Sequence, residues 1–98
     1  MERNEVSAHE VRVYLAFAGE PQRWFSSAEM ATAAGVAGRT ARAHALKLVK
    51  LGIVDQAEVF PAHRYRLSTK AAKRNRGYVD RLAAAAEVLG LSKKETAQ

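Results

Sequence analysis

Apolar residues return at helical spacing three times in the first half of the chain; the first two returns carry their own start signals, and all three have stop signals. Val11, Tyr14, Leu15 and Ala18 follow steps of three and four, which predicts an amphipathic helix over residues 8–18. Ser7-Ala8-His9-Glu10 stands at its start with capping-box spacing, and Val6 and Val11 sit where a hydrophobic staple closes. Gly19-Glu20-Pro21 ends it. Ser26-Ser27-Ala28-Glu29 repeats the same grammar, with Phe25 and Met30 as the staple pair, so a short second helix is expected over 28–34. Gly35 stops that helix, because the left-handed position after a helix end suits glycine. Trp24-Phe25, just ahead of it, reads as a short strand. A third helix is expected from Gly38 to Leu51, with Ala41, Ala45, Leu48 and Val49 inward and Gly52 as its terminator.

From Ile53 to Leu67 the pattern shifts towards period two, as a hairpin requires: Ile53-Val54 and Val59 in one strand, Tyr65 and Leu67 in the next. Arg64 and Arg66 alternate with the latter pair and are expected to face outward. Phe60-Pro61-Ala62 forms the tip, where proline breaks no ladder. Ser68 or Thr69 then caps a last helix that reaches Leu89 and stops at Gly90. Gly77 within it costs up to about 1 kcal/mol relative to alanine and marks a point for a kink or break. Ser92 to Gln98 is a polar tail with no reason to order.

Along that last helix Ala71, Asn75, Tyr78, Leu82, Ala85 and Leu89 follow alternating steps of four and three, widened by Val79 and Ala86. A helix over 69–89 is roughly 30 Å long, more than a small body needs to cover itself. The expectation is therefore a homodimer through this helix, with Tyr78, Leu82 and Leu89 in the interface and Asn75 at a register-setting core position. The other reading has the stripe fold back onto the first helix and cover Val13 and Phe17.

Ninety-eight residues suit one modest core. Without cysteine there are no disulfides and no thiolate metal sites. No apolar run approaches the length of a membrane span, and Met1-Glu2-Arg3-Asn4-Glu5 has no signal-peptide character. The expected location is the cytoplasm, at the nucleoid in a bacterium. The net charge of +6 is unevenly placed: residues 36–76 hold ten Lys and Arg against two acids, while residues 1–35 hold three against five. Such a segment attracts a polyanion.

Catalytic chemistry finds little footing. His9, His44 and His63 have no metal-ligand spacing on one helix, and no glycine-rich loop follows a strand. Ser26 and Ser27 read as caps, while Asp55, Glu58 and Asp80 read as solvent-face residues. No enzyme activity, cofactor or metal is expected.

The order of these elements, two short helices joined by a tight turn and followed by a hairpin, is carried by particular residues. They are Ala28-Glu29-Met30-Ala31-Thr32-Ala33-Ala34-Gly35-Val36, then Arg39-Thr40-Ala41-Arg42-Ala43-His44, then Leu48-Val49-Lys50-Leu51-Gly52-Ile53-Val54. Over residues 26–67 the chain resembles the winged helix-turn-helix superfamily of transcriptional regulators. Ala31 stands where that family packs a small residue between the helices, Gly35 in the turn and Val36 at the corner. The family usually has a leucine near Ala45 and a serine near Gly38, so a thinner core and a less defined start to the third helix are expected.

The resemblance implies a mainly α fold with a small hairpin. A winged helix-turn-helix domain would span residues 1–68, the C-terminal helix 69–91 and the tail 92–98. It also implies double-stranded DNA as partner, with the helix 38–51 in the major groove and the hairpin 53–67 as the wing. With Ala41, Ala45 and Leu48 inward, Arg39, Arg42, Ala43 and Lys47 are expected on exposed faces. Arg39 and Arg42 suit base edges, since a guanidinium bonds guanine O6 and N7 together. Thr40, Lys47 and Lys50 suit phosphates, His63 and Arg64 suit wing contacts, and Lys70, Lys73, Arg74 and Arg76 extend the charge. A repressor-like transcriptional regulator is the first expectation. A DNA-binding accessory factor for replication, partition or recombination, or a winged-helix protein-assembly module, is the alternative.

Overall fold

The computed structural model describes residues 6–59 and 62–91. In chain order these form α1 (Ala8–Gly19), α2 (Ser27–Ala34), α3 (Gly38–Lys50), β1 (Val54–Val59), β2 (Ala62–Leu67), α4 (Ala71–Arg74) and α5 (Arg76–Val88). None of these helices is long and apolar enough to cross a membrane.

The cap residues explain the helix starts. Ser26 accepts from the Glu29 amide at 3.1 Å, and the Glu29 carboxylate accepts from the Ser26 amide at 3.0 Å, so the box at α2 is complete. At α1 only half of it forms. The Glu10 amide donates to Ser7 Oγ at 3.1 Å, but the Glu10 carboxylate turns into the protein instead of back to the Ser7 amide. Gly35 ends α2 at φ +71°, and the amides of Gly35 and Val36 both donate to the Ala31 carbonyl. α3 starts at Ala37 without a side-chain cap, in keeping with the missing serine.

The core gathers Val11, Val13 and Phe17 from α1, Phe25, Met30 from α2, Ala41, Ala45 and Leu48 from α3, Ile53, Val54 and Tyr65 around the hairpin, and Leu82 and Ala86 from α5. Phe17 and Phe25 meet edge to face, with centroids 5.5 Å apart. On α1 the buried face differs from the expected stripe by about a quarter turn. Val13, Phe17 and Glu10 are buried with Val11, while Tyr14, Leu15 and Ala18 are half-buried. Both sides of the helix are apolar enough to serve, and its packing against α2, α3 and α5 selects between them.

β1 and β2 pair antiparallel from Val54↔Leu67 to Val59↔Ala62; the expected tip residues Phe60 and Pro61 lie outside the described residues. Phe25 extends the sheet by one bridge to Tyr65, with reciprocal backbone bonds of 2.7 and 2.8 Å. Tyr65 and Leu67 turn towards the core, and Arg64 and Arg66 occupy the opposite face, as alternation demands.

The C-terminal region is not one helix. The break falls at Asn75, with φ −151° and ψ 61°, and not at Gly77. The Asn75 side chain donates to the Leu51 carbonyl at 3.1 Å. Arg74 lies within 3.7 Å of Asp55, its stem against Gly52, where an added Cβ would meet Arg74 Cδ at 3.2 Å. With the helix bent here, α5 returns along α1. Leu82 is consequently inside the core of its own chain, at 0 % exposure, and cannot serve as a dimer contact. Tyr78 is half-buried and bonded to Glu10. At the end of α5 Val88 is 84 % and Leu89 46 % exposed. The tail 92–98 lies outside the described residues.

Candidate nucleic-acid interface

The turn Gly35-Val36-Ala37 sets α3 against α2, with Ala31 and Val36 half-buried and packed on the core. At 3.6 residues per turn, burial of Ala41, Ala45 and Leu48 leaves Arg39, Ala43 and Lys50 on the opposite side of α3. Arg42 falls on one flank, and Lys47 with Thr40 on the other. Arg39, Arg42, Ala43, Lys47 and Lys50 are exposed and Thr40 is half-buried. α3 contains no acidic residue, and among the described residues Arg39, Arg42 and Lys50 form no ion pair. Lys47 and Lys50 complement the carbonyl end of the helix. Arg39 sits at the amide end, where a cation is electrostatically misplaced until an anion arrives.

Lys47 is exposed like the other cations of α3 but differs from them in having a carboxylate partner. Its ammonium lies 3.2 Å from Glu10 Oε1 and 5.6 Å from the centroid of the Tyr78 ring. The Tyr78 hydroxyl donates to Glu10 Oε2. Glu10 is only 2 % exposed. Partial burial works to lower the Lys47 pKa, but hydrogen bonding with Tyr78 and Glu10 outweighs it and the pKa is raised. Burial and the bond to Glu10 raise that of Tyr78. His44, half-buried on the same helix, is lowered by burial, with Glu10 opposing.

On the hairpin, His63 and Arg64 are both half-buried. His63 shares the core-facing side of β2 with Tyr65, and its Nδ1 lies 3.9 Å from Glu58 on the paired strand. Arg64 is on the outer side and donates weakly to the His63 carbonyl at 3.5 Å. Arg66, also outward, stacks on Trp24 at 4.4 Å from the ring centroid. Of the further basic residues, Lys70 and Lys73 are exposed. Arg74 is held by Asp55, and Arg76 reaches Asp80 at 4.0 Å.

Two of these relationships escaped the sequence reading although signals for them exist. Glu10 precedes Val13 by three positions and Phe17 by seven, which places it on the buried face of α1 once that face is chosen. The Phe25–Tyr65 bridge sets Trp24 beside Arg66, so the apparent strand at Trp24-Phe25 needed only its partner.

No protein-family model and no curated protein matches the sequence. Solved structures do match. A possible transcriptional regulator from Methanosarcina mazei Go1 aligns over 97 % of this chain and 82 % of its own, with 18 % identity and a TM-score of 0.66. A protein from the thermoacidophilic archaeon Sulfolobus tokodaii aligns over 89 % and 86 %, with 21 % identity and a TM-score of 0.65. The PcaV transcriptional regulator from Streptomyces coelicolor, solved with its natural ligand, aligns over 95 % and 68 %, with 19 % identity and a TM-score of 0.61. The fold is a winged helix-turn-helix. In it α2 and α3 are the helix-turn-helix, β1 and β2 the wing, and Phe25 the short third row of the winged sheet.

Proposed function

We propose that this chain binds double-stranded DNA sequence-specifically and regulates transcription, as a repressor-like homodimer. α3 enters the major groove and the wing meets the neighbouring backbone or minor groove. The observation that carries this reading is the charge of α3: four Lys and Arg, no acid, with Arg39, Arg42, Lys47 and Lys50 all exposed. The matched structures support it, since two of them are described as transcriptional regulators or possible ones. Arg39 and Arg42 reach base edges, and Thr40, Ala43 and Lys50 line the same approach. Arg64, with His63 beside it, is the wing contact. A dimer sets two such helices about one DNA turn apart and favours an inverted-repeat site; Leu89, with Val88 beside it, is the apolar surface on α5 open to a second copy.

Fluorescence anisotropy on a random-sequence duplex, repeated across salt concentrations, tests the reading. The logarithm of the affinity is expected to fall linearly with the logarithm of salt, with a slope of roughly −0.9 for each phosphate engaged. A slope near zero removes DNA as principal partner and leaves the protein-assembly alternative. In vitro selection of bound duplexes then yields the site, its symmetry and its spacing.

A further inference from the structure

Glu10 is a carboxylate that the fold has taken out of water, at 2 % exposure, on a helix that packs against both α3 and α5. Each of its oxygens has a partner from a different element. Oε1 faces the ammonium of Lys47 on α3 at 3.2 Å, a side chain that is itself 49 % exposed, and Oε2 accepts from the Tyr78 hydroxyl of α5. Tyr78 is flanked by two cations, Lys47 at 5.6 Å and Arg81 at 5.4 Å from its ring centroid. Lys47 is the only cation within salt-bridge distance of Glu10 among the described residues.

A buried carboxylate is tolerated when it is paired and hydrogen-bonded, and it is strongly unfavourable when the pair is broken. Were Lys47 to swing out to a DNA phosphate, Glu10 would keep one neutral hydroxyl and lose its counter-charge. The phosphate would have to exceed that loss before the contact added anything to affinity. Lys50, one turn further on, forms no ion pair among the described residues.

We propose that Glu10 withholds Lys47 from DNA. Lys47 is a positioning residue that ties the reading helix to α1 and α5, and the phosphate grip of α3 is set by its other cations. This rests on the DNA-binding reading above and assigns to Glu10 a restraint on the phosphate count of that same surface. The capping-box spacing at Ser7 conceals this, because it supplies an innocuous reason for a glutamate at position 10.

The test is the salt dependence of binding to a random-sequence duplex for wild type, Lys47→Met, Glu10→Gln, the double variant and Lys50→Ala. Partial unfolding lowers affinity by one factor at every salt concentration where folding is salt-insensitive, so the slope isolates phosphate contacts. Lys50→Ala is expected to make the slope shallower by about 0.9, the value for one phosphate. Lys47→Met is expected to leave it unchanged. Glu10→Gln frees the ammonium and is expected to steepen it by about 0.9, and adding Lys47→Met returns it to the wild-type value. The proposal is overturned if Lys47→Met alone flattens the slope as Lys50→Ala does, or if Glu10→Gln leaves it unmoved. A wild-type slope near zero sinks the DNA reading itself, and the proposal with it. Should Glu10→Gln fail to fold, the wild-type protein with 13C-dimethylated lysines gives the second measurement. The Lys50 methyl signals then shift on duplex addition and those of Lys47 do not; a Lys47 shift of equal size overturns the proposal.

Discussion

The side-chain amide of Asn75 donates to the carbonyl of Leu51 across 3.1 Å, so the residue that breaks the C-terminal helix also satisfies the end of α3. Leu51 is the C-cap of α3, one of the positions whose carbonyls no longer find an intrahelical donor. Asn75→Ala removes the donor and is expected to cost about 0.5–1.5 kcal/mol, the net worth of one intramolecular hydrogen bond. Asn75→Asp is expected to cost more, because a carboxylate then faces the negative end of a helix. Urea denaturation checks both, with a lowered midpoint and an unchanged slope. Equal stability of Asn75→Ala and wild type would show that the break is held by packing alone.

Where local grammar and tertiary role coincide, the sequence was readable. Ser26 and Glu29 form the reciprocal cap their spacing predicts, and Gly35 takes the positive φ its position requires. The hairpin alternation also placed Tyr65 inward and Arg66 outward. The failures share one physical cause, which is that packing chooses among options the local pattern leaves open. Glu10 has capping-box spacing and also lies on a buried face. Leu82 belongs to an apolar stripe whether that stripe meets a second chain or its own α1. Asn75 looks like a helical core position until the chain bends and its amide reaches Leu51. No pattern of neighbours in the sequence distinguishes these outcomes, since each depends on residues 24 to 68 positions away.

Arg42 and Lys50 are expected to separate base reading from phosphate binding. Arg42→Ala should cost about 1–3 kcal/mol on the selected site and blur preference at one base position. Lys50→Ala should weaken all sequences about equally. Competition between selected and random duplexes measures the difference. If both variants lose the same factor on both duplexes, α3 presents another face to the groove.

The capping box at α2 should make stability depend on acid pH. The Glu29 carboxyl lies below its ordinary pKa, first because it accepts the Ser26 backbone amide and then because Arg23 and Arg64 are near. The folded state therefore favours the ionised form. Its contribution is fully present above the unfolded carboxylate pKa and is lost as pH falls through the depressed folded value. Glu29→Gln is expected to melt below wild type at neutral pH and to converge with it in acid. A difference in melting temperature that is constant from neutral pH down to strong acid would show that the charge of Glu29 contributes nothing.

Leu82 and Leu89, seven positions apart on what was expected to be one stripe, should behave oppositely. Leu82 is wholly inside its own chain, whereas Leu89 is 46 % exposed. Leu82→Ala leaves a cavity between α5 and α1, and is expected to destabilise by about 2–5 kcal/mol at every protein concentration. Val88→Ser with Leu89→Ser touches exposed positions and should alter the stability of the single chain by no more than about 0.5 kcal/mol. If a dimer forms through the end of α5, that double variant should instead raise the dissociation constant and lose tight binding to a two-half-site duplex, keeping weak, salt-sensitive binding to one half-site. Sedimentation over a range of concentrations decides. A wild-type monomer at tens of micromolar removes the dimer from the proposal, and a double variant that remains dimeric moves the interface away from α5. Leu82→Glu, which the stripe alone would recommend as an interface probe, is expected to unfold the chain, because it buries an unpaired charge in the core.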